Sequence, residues 1–503
     1  MSLPPETAPQ DGATPPKQGD DIQALAKGGR TNFFGFLLRL AARLPFLFIA
    51  GRWYGAEALG RFAYAIIIVE FVATLATLGL KRGLAEQLSA TDRPHVHVVW
   101  DALLLGAIAS AIAATTLGYL PELMFPNSGI NGLEWLLPLT IFALAWSDIS
   151  LAALAYRLDI AATVRARSII EPWTISIAAF GLAFYSLRDG LIIAYVVSMG
   201  AALVASIIPL IRSFGWPRGW RPRLAGLLYI VKRNVPLAAA DAIEWGSRRL
   251  DIAILGLFFS PAIVGIYYVA QQVASLPQKL KTSFDPILGP VITRNLEAGN
   301  KAAVAQQVRQ VGFWIIAAQA GIGLALGITG EGVMGLVGPN FVGGAMALSF
   351  LLLAEVVAAT AAVSESALIY VARHLNLMIS LGMIGIQIAL SFAFVLVLRD
   401  EFHLPVLWQA AAPAMALATA LGIASVMKSS LLSRLLGAPV SGWRWPLIWA
   451  ALAAGVVGMV AVQLPEWVEL AFGIPAILAA FGAVIWRFGF TKEDRTLFRL
   501  KEA

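Results

Sequence analysis

Asp241, Glu244, Arg248 and Asp251 recur at spacings of three and four residues inside an otherwise apolar run, Val235 to Pro290. On a helix turning about 100° per residue they fall within about 80° of one another, forming an acid, acid, base, acid stripe with Arg249 beside it. A charge near mid-membrane costs roughly 2.5 to 3.5 kcal/mol on insertion scales, so this face has to meet charged partners or water. Two readings satisfy that requirement. The charges pair with one another and hold helices together, or they line a polar transport cavity that binds an ionic cargo.

Other ionisable residues sit at similar depth. Arg39 and Arg43, spaced i, i+4, share a face in the inner half of the first apolar span. They either snorkel to the headgroups or hold an anion. Glu70 stands alone among Ile, Val and Phe, Asp148 lies in the fourth span, and Glu355 and Glu365 lie about 80° apart on the tenth. Each of these acids is a candidate coupling-ion or proton site, and for each a structural ion pair is equally open.

Catalytic signatures are absent from the sequence: no P-loop, no G-x-S-x-G elbow, no H-E-x-x-H and no dinucleotide fingerprint. The longest inner loop, Ser213 to Arg233, has about 20 residues, too few for a soluble catalytic domain with paired carboxylates. The outer loop Pro121 to Gly132 carries one acid, Glu122. No cysteine is present, and His95, His97, His374 and His403 are scattered at expected helix ends, so no metal site and no cofactor is expected. The chain reads as a non-enzyme.

The elements that must position these charges are membrane helices. Of 503 residues 59% are hydrophobic and 13% charged, with a mean hydropathy of +0.76, which indicates an all-α integral membrane protein. Fourteen apolar spans are expected, near 33–51, 62–80, 97–119, 133–156, 166–187, 190–211, 235–258, 262–278, 311–330, 343–371, 376–398, 405–427, 446–464 and 468–486. Residues 1–30, rich in Pro, Gly and polar residues, read as a disordered tail. With the N-terminus inside, 29 of the 37 Lys and Arg fall on inner segments and only Arg52, Arg61, Arg188 and Arg399 on outer ones. That asymmetry places both termini in the cytoplasm and accounts for the net charge of +7 without nucleic acid.

A shift of 205 residues lays Arg43 on Arg248, Gly51 on Gly256, and Gly60, Phe62 and Ala65 on Gly265, Tyr267 and Ala270. Six spans per copy make this a parallel repeat. The expected organisation is a tail (1–30), two six-helix lobes (31–225 and 226–436) around a central cavity, and two extra C-terminal spans (437–503). Gly323 and Gly327 read as close-packing positions. Pro277, Pro286 and Pro290 are expected to break the inner end of the eighth span, as a stop or a hinge.

The stretch GRWYGAEALGRFAYAIIIVEFVATLATLGLKRGLAEQLS resembles the N-terminal signature of the polysaccharide transporter family of lipid-linked oligosaccharide flippases. That family lies within the multidrug/oligosaccharidyl-lipid/polysaccharide exporter superfamily. RRLDIAILGLFFSPAIVGIYYVAQQVASLPQKLKTSFDPILGPVI resembles its seventh and eighth spans, with weaker likeness in LVGPNFVGGAMALSFLLLAE and GFTKEDRTLFRL. The resemblance implies alternating access and transfer of a polyprenyl-pyrophosphate-linked glycan to the outer leaflet of a bacterial inner membrane, for lipopolysaccharide or exopolysaccharide synthesis. Membrane lipids, a polymerase and glycosyltransferases are the partners it implies. Arginines in a wet cavity would hold the diphosphate through bidentate bonds. A cation-coupled multidrug exporter, a peptidoglycan-precursor flippase, which fourteen spans would suit, and a non-transporting scaffold are the alternatives.

Overall fold

The computed structural model describes residues 44–90, 93–129, 132–491 and 494. Arg39, Arg43 and the expected tail lie outside the described residues. Every element within them is helical. Nine helices among the described residues are long and apolar enough to cross a membrane, and Pro446–Ala461 is a shorter apolar one.

The first lobe's helices are α1 (44–54), α2 (Gly55–Ala76), α3 (Leu80–Ser89), α4 (His95–Tyr119), α5 (Thr140–Tyr156), α6 (160–183) and α7 (Gly190–Phe214). A second group follows: α8 (Leu224–Phe258), α9 (Pro261–Glu297), α10 (Lys301–Ile328), α11 (Gly330–Val337), α12 (Ala345–Val371), α13 (Arg373–Leu396) and α14 (Ala412–Leu436). The closing pair is α15 (Pro446–Ala461) and α16 (Glu466–Gly489). In the first group α5 and α6 pack on α7, and α2 and α4 on α5; in the second, α12 packs on α9, α10 and α14; the closing pair lies on α10. The two groups meet through α2 against α9 and α8, and through α3 against α8.

Three local features depart from the periodicity. The second span begins at Gly55 rather than near 62, because Gly60 lets the segment expected as loop pack as helix against α9. α9 runs unbroken from Pro261 to Glu297 through all three prolines expected to end it. Prolines are tolerated inside membrane helices where neighbouring helices pack against them, and α10 packs on α9 here, with Gln319 donating to the Pro277 carbonyl at 3.0 Å. α8 has 35 residues, about 52 Å of helix against a hydrocarbon core of about 30 Å. Its first turns therefore extend beyond the apolar layer. The paired glycines behave as the spacing suggests: Gly323 faces Leu352 and Val356 of α12, and Gly327 faces Leu352 and Ser349.

Gly79, at φ 72°, turns the chain from α2 into α3. A Cβ there would meet the α8 backbone at Asn234 and Ala238. This close approach sets α3, and its Arg82, against the first half of α8.

Candidate functional site

The α8 stripe is divided between two environments. Arg82 of α3 pairs with Asp241, Nε to Oδ1 at 2.5 Å, and with Glu244. Glu244 also accepts from Arg248 at 3.3 Å, the i, i+4 pair expected from sequence. Since Arg82 lies just beyond the end of α2 at the bundle's basic end, Asp241 and Glu244 sit toward that end rather than at mid-depth. Asp241 is buried, and its Oδ2 has no partner among the described residues.

Asp251 is a different case. It is fully buried and accepts from the Tyr267 hydroxyl at 2.8 Å and from Gln271 Nε2 at 3.0 and 3.1 Å, both on α9. Of the pairings within the stripe, the one between Asp251 and Arg248 does not form among the described contacts, because the carboxylate turns into the α8–α9 contact. Arg248 keeps 46% of its side chain exposed, and among the described residues its guanidinium pairs with Glu244 alone. Arg249 beside it is half-buried and makes no ion pair with a described residue.

The candidate coupling acids separate in the same way. Asp148 pairs with Arg167 of α6 and lies 3.6 Å from Lys81 of α3, and Arg167 also binds Glu171 at 2.8 Å. Glu365 is bound by the buried Lys428 of α14 at 3.0 Å, which also donates to Ser380 at 3.1 Å. These two acids are each held by cations. Glu70 is half-buried on α2, within electrostatic reach of the buried Tyr195, whose hydroxyl has no partner among the described residues. Glu355 is half-buried on α12. Arg82, Lys81, Arg167, Glu171 and Lys428 were not singled out from sequence. The i, i+4 spacing of Arg167 and Glu171 was the one local signal; the other partners lie on separate helices.

The two ends of the interface between helix groups are closed differently. At the charge-poor end a Cβ on Gly60 would strike the Pro261 carbonyl, and one on Gly265 the Ala56 carbonyl. Asn127 there donates to Gly256 O at 2.6 Å and Phe259 O at 3.2 Å, and Arg52 to Leu336 O at 3.0 Å. At the basic end the link is ionic: Arg82 with Asp241 and Glu244, and Arg233 with Glu86 at 2.5 Å.

The C-terminal end is fixed by Asp494, which is fully buried. It accepts from Arg444 at 2.6 Å, Trp314 at 2.8 Å, Gln310 at 3.0 Å and the Thr491 amide and hydroxyl at 2.9 and 2.8 Å. Burial alone would raise this carboxyl; the bonds from Arg444 and Thr491 outweigh it and hold the group below the ordinary carboxylate value.

The described helices form a membrane bundle of two groups joined through α2, α3, α8 and α9. Solved structures agree. The lipid II flippase MurJ in an inward closed conformation superposes with a TM-score of 0.68 at 12% identity, covering 93% of this chain and 99% of that one. An inward-facing MATE-family multidrug resistance transporter of the MOP superfamily gives 0.64 at 13% identity, covering 80% and 95%. A mutant of the Vibrio cholerae MATE transporter VcmN gives 0.52 at 14%, covering 83% and 100%. At these identities the likeness is one of fold. Residues 50–318 match the family described as polysaccharide biosynthesis protein, and the chain belongs to that family. No curated protein matches the sequence.

Proposed function

We propose that this protein flips a polyprenyl-pyrophosphate-linked oligosaccharide from the cytoplasmic to the outer leaflet of a bacterial inner membrane, supplying lipopolysaccharide or exopolysaccharide assembly. The observation that carries this reading is Arg248, half-exposed on α8 between the helix groups and held by one exposed carboxylate. A guanidinium so placed can exchange Glu244 for a diphosphate, which it binds in bidentate fashion. Arg249, and Arg39 and Arg43 from the first span, are proposed to complete the anion site. Asp241 and Glu244 compete with the cargo, and Asp251 fixes α8 on α9. The polyprenyl tail stays in lipid.

In this reading the basic end faces the cytoplasm, 31–225 and 226–436 act as the two lobes, and 437–503 rides on the second. Glu70, Asp148, Glu355 and Glu365 are the proposed coupling-ion candidates, Asp148 and Glu365 from within their ion pairs. Glycosyltransferases and a polymerase would work beside the protein, upstream and downstream of the flip.

The test is transfer of a labelled polyprenyl-pyrophosphate glycan across proteoliposomes. Arg248→Ala should abolish it, and Arg248→Lys should restore only part, because a point charge replaces a planar fork. A parent protein that ignores the lipid pyrophosphate and moves organic cations instead would make it a multidrug exporter. Competition by lipid II would redirect the assignment to a peptidoglycan precursor, the reading favoured by the fold shared with MurJ.

A further inference from the structure

Two of the four arginines expected on the charge-poor end, Arg61 of α2 and Arg188 just before α7, meet in one cavity of about 180 Å3 although 127 residues separate them. Glu57, Glu134, Tyr54 and Phe125 complete its polar and aromatic wall. Glu134 is buried; its Oε1 accepts from Arg61 at 2.7 Å and lies 3.9 Å from Arg188, while its Oε2 accepts from the Gly132 amide at 2.7 Å. Arg61 also donates to the Gly129 carbonyl at 2.7 Å, and its Nε is buried with no partner among the described residues. Arg188 is 45% exposed and touches Glu134 and Asp189 only at 3.9 and 4.0 Å. Both guanidinium groups therefore keep donors to spare.

The charge pattern selects the ligand. Two arginines and two glutamates cancel, so neither a free anion nor a free cation is favoured. The wall carries both a strong donor, Arg188, and a strong acceptor, Glu57, that are exposed, while the Arg61 guanidinium lies over the buried Phe125 ring, 5.6 Å from its centroid. A hydroxyl both donates and accepts, and a sugar ring carries a rim of hydroxyls. We propose that this cavity is a glycan subsite, with sugar hydroxyls held by the exposed Arg188 and Glu57 at its mouth, while the pair of half-buried Arg61 and buried Glu134 forms its floor. The inference rests on the proposed cargo and adds a place for its sugar. Gly60, the residue preceding Arg61, forms the seal between the helix groups, so an occupied subsite lies directly beside that seal.

The probe is the water-soluble oligosaccharide released by mild acid from the polyprenyl-linked pool of cells that make this protein. Ala58→Cys places a single thiol on the cavity wall of this cysteine-free chain. In the reconstituted full chain, labelling by an impermeant maleimide should slow at least about fivefold with millimolar oligosaccharide and not with inorganic pyrophosphate. Equilibrium dialysis against the unmodified protein should show binding, weakened at least about fivefold by Glu57→Gln. Protection by pyrophosphate alone overturns the glycan assignment in favour of an anion. Absence of both binding and protection in a protein that still flips the lipid-linked glycan overturns the subsite and leaves the transport reading intact; a protein that binds the oligosaccharide but flips no lipid-linked glycan shows the reverse.

Discussion

Gly60 of α2 and Gly265 of α9 lie against each other's helix, and the contact is reciprocal: Gly60 faces the carbonyl of Pro261, Gly265 that of Ala56. Both pairs are related by the 205-residue shift that aligns the two halves of the sequence. The repeat is therefore visible as a local two-fold relation where the helix groups touch, and side chains are excluded where the backbones cross. Gly60→Val should force α2 and α9 apart and open the charge-poor end. Labelling of a cysteine at Val264, in the small space lined by Gly60, Arg61 and Gly256, should rise at least about tenfold. Gly265→Val should do the same, and the double variant should add little, because both relieve one crossing. Unchanged labelling in both single variants would show that the crossing does not seal this end.

Asp251 offers a separate stability test. Its donors, Tyr267 and Gln271, come from the second helix of a hairpin and are buried with it or half-buried. Tyr267→Phe removes a single hydroxyl from a fully buried carboxylate and should cost about 1 to 3 kcal/mol. Thermal unfolding of parent and Tyr267→Phe in the same detergent reads this directly. Equal midpoints in parent and Tyr267→Phe would remove Asp251 as the α8–α9 fastener.

Much of the fold was legible because hydropathy and charge asymmetry are summed over many residues. Nine long apolar helices among the described residues lie along expected spans, though the count of fourteen is not reached among them, and the glycines paired by the 205-residue shift sit at the interface, a place the sequence alone did not assign them. The partners of the charged groups were harder to read, since Arg82, Lys81 and Lys428 reach their acids from other helices. Asp251 and Arg248 share a helix face, yet one is buried and the other half-exposed. Periodicity gives the face, but packing by Tyr267 and Gln271 decides which charge is desolvated. The continuity of α9 was missed because a proline weighs against a helix only locally, and the packing of the whole bundle overrides that signal.

Orientation is tested by single cysteines. Ser89 and Ser433 lie at the basic end and should be shielded from an impermeant reagent applied outside the cell, while Glu122 and Glu466 at the other end should react. Glu122 is a better probe than Asn127, whose side chain is tied to Gly256 and Phe259. External labelling at Ser89 would reverse the proposed orientation.

The Asp494 clasp has a definite pH signature. Its carboxyl is held below the ordinary value, so its stabilisation is complete above the unfolded carboxylate pKa and is lost as pH falls through the lower folded one. Asp494→Asn should lower the unfolding midpoint at pH 7 and lose part of the parent's acid sensitivity. Arg444→Ala leaves a buried carboxylate without its cation and should cost about 3 kcal/mol or more. A parent and Asp494→Asn protein with parallel pH profiles would exclude the clasp as a source of acid sensitivity.

The ionic bridge at the basic end leads to the prediction most directly tied to transport. Arg82 is about half-exposed, so its pair with the exposed Glu244 contributes no more than about 1 kcal/mol and is screened by salt. Its pair with Asp241 is different, since that carboxylate is buried while the helix groups are together. Arg82→Ala strands Asp241 without a cation in the closed arrangement, whereas opening the basic end would return it to water. The closed state should lose about 3 kcal/mol, equivalent to about a hundredfold shift toward opening. Asp241→Asn in the same chain should reverse most of that shift, because the stranded charge is gone. Labelling of a cysteine replacing the buried Asn234, on the α8 face against Gly83, measures the opening in inside-out vesicles at low and high salt. Accelerated labelling in Arg82→Ala, reversed by adding Asp241→Asn, would establish that burial of Asp241 governs the gate. If Arg82→Ala labels faster and the double variant labels faster still, the bridge acts through simple attraction, and burial of Asp241 plays no part in closing the basic end.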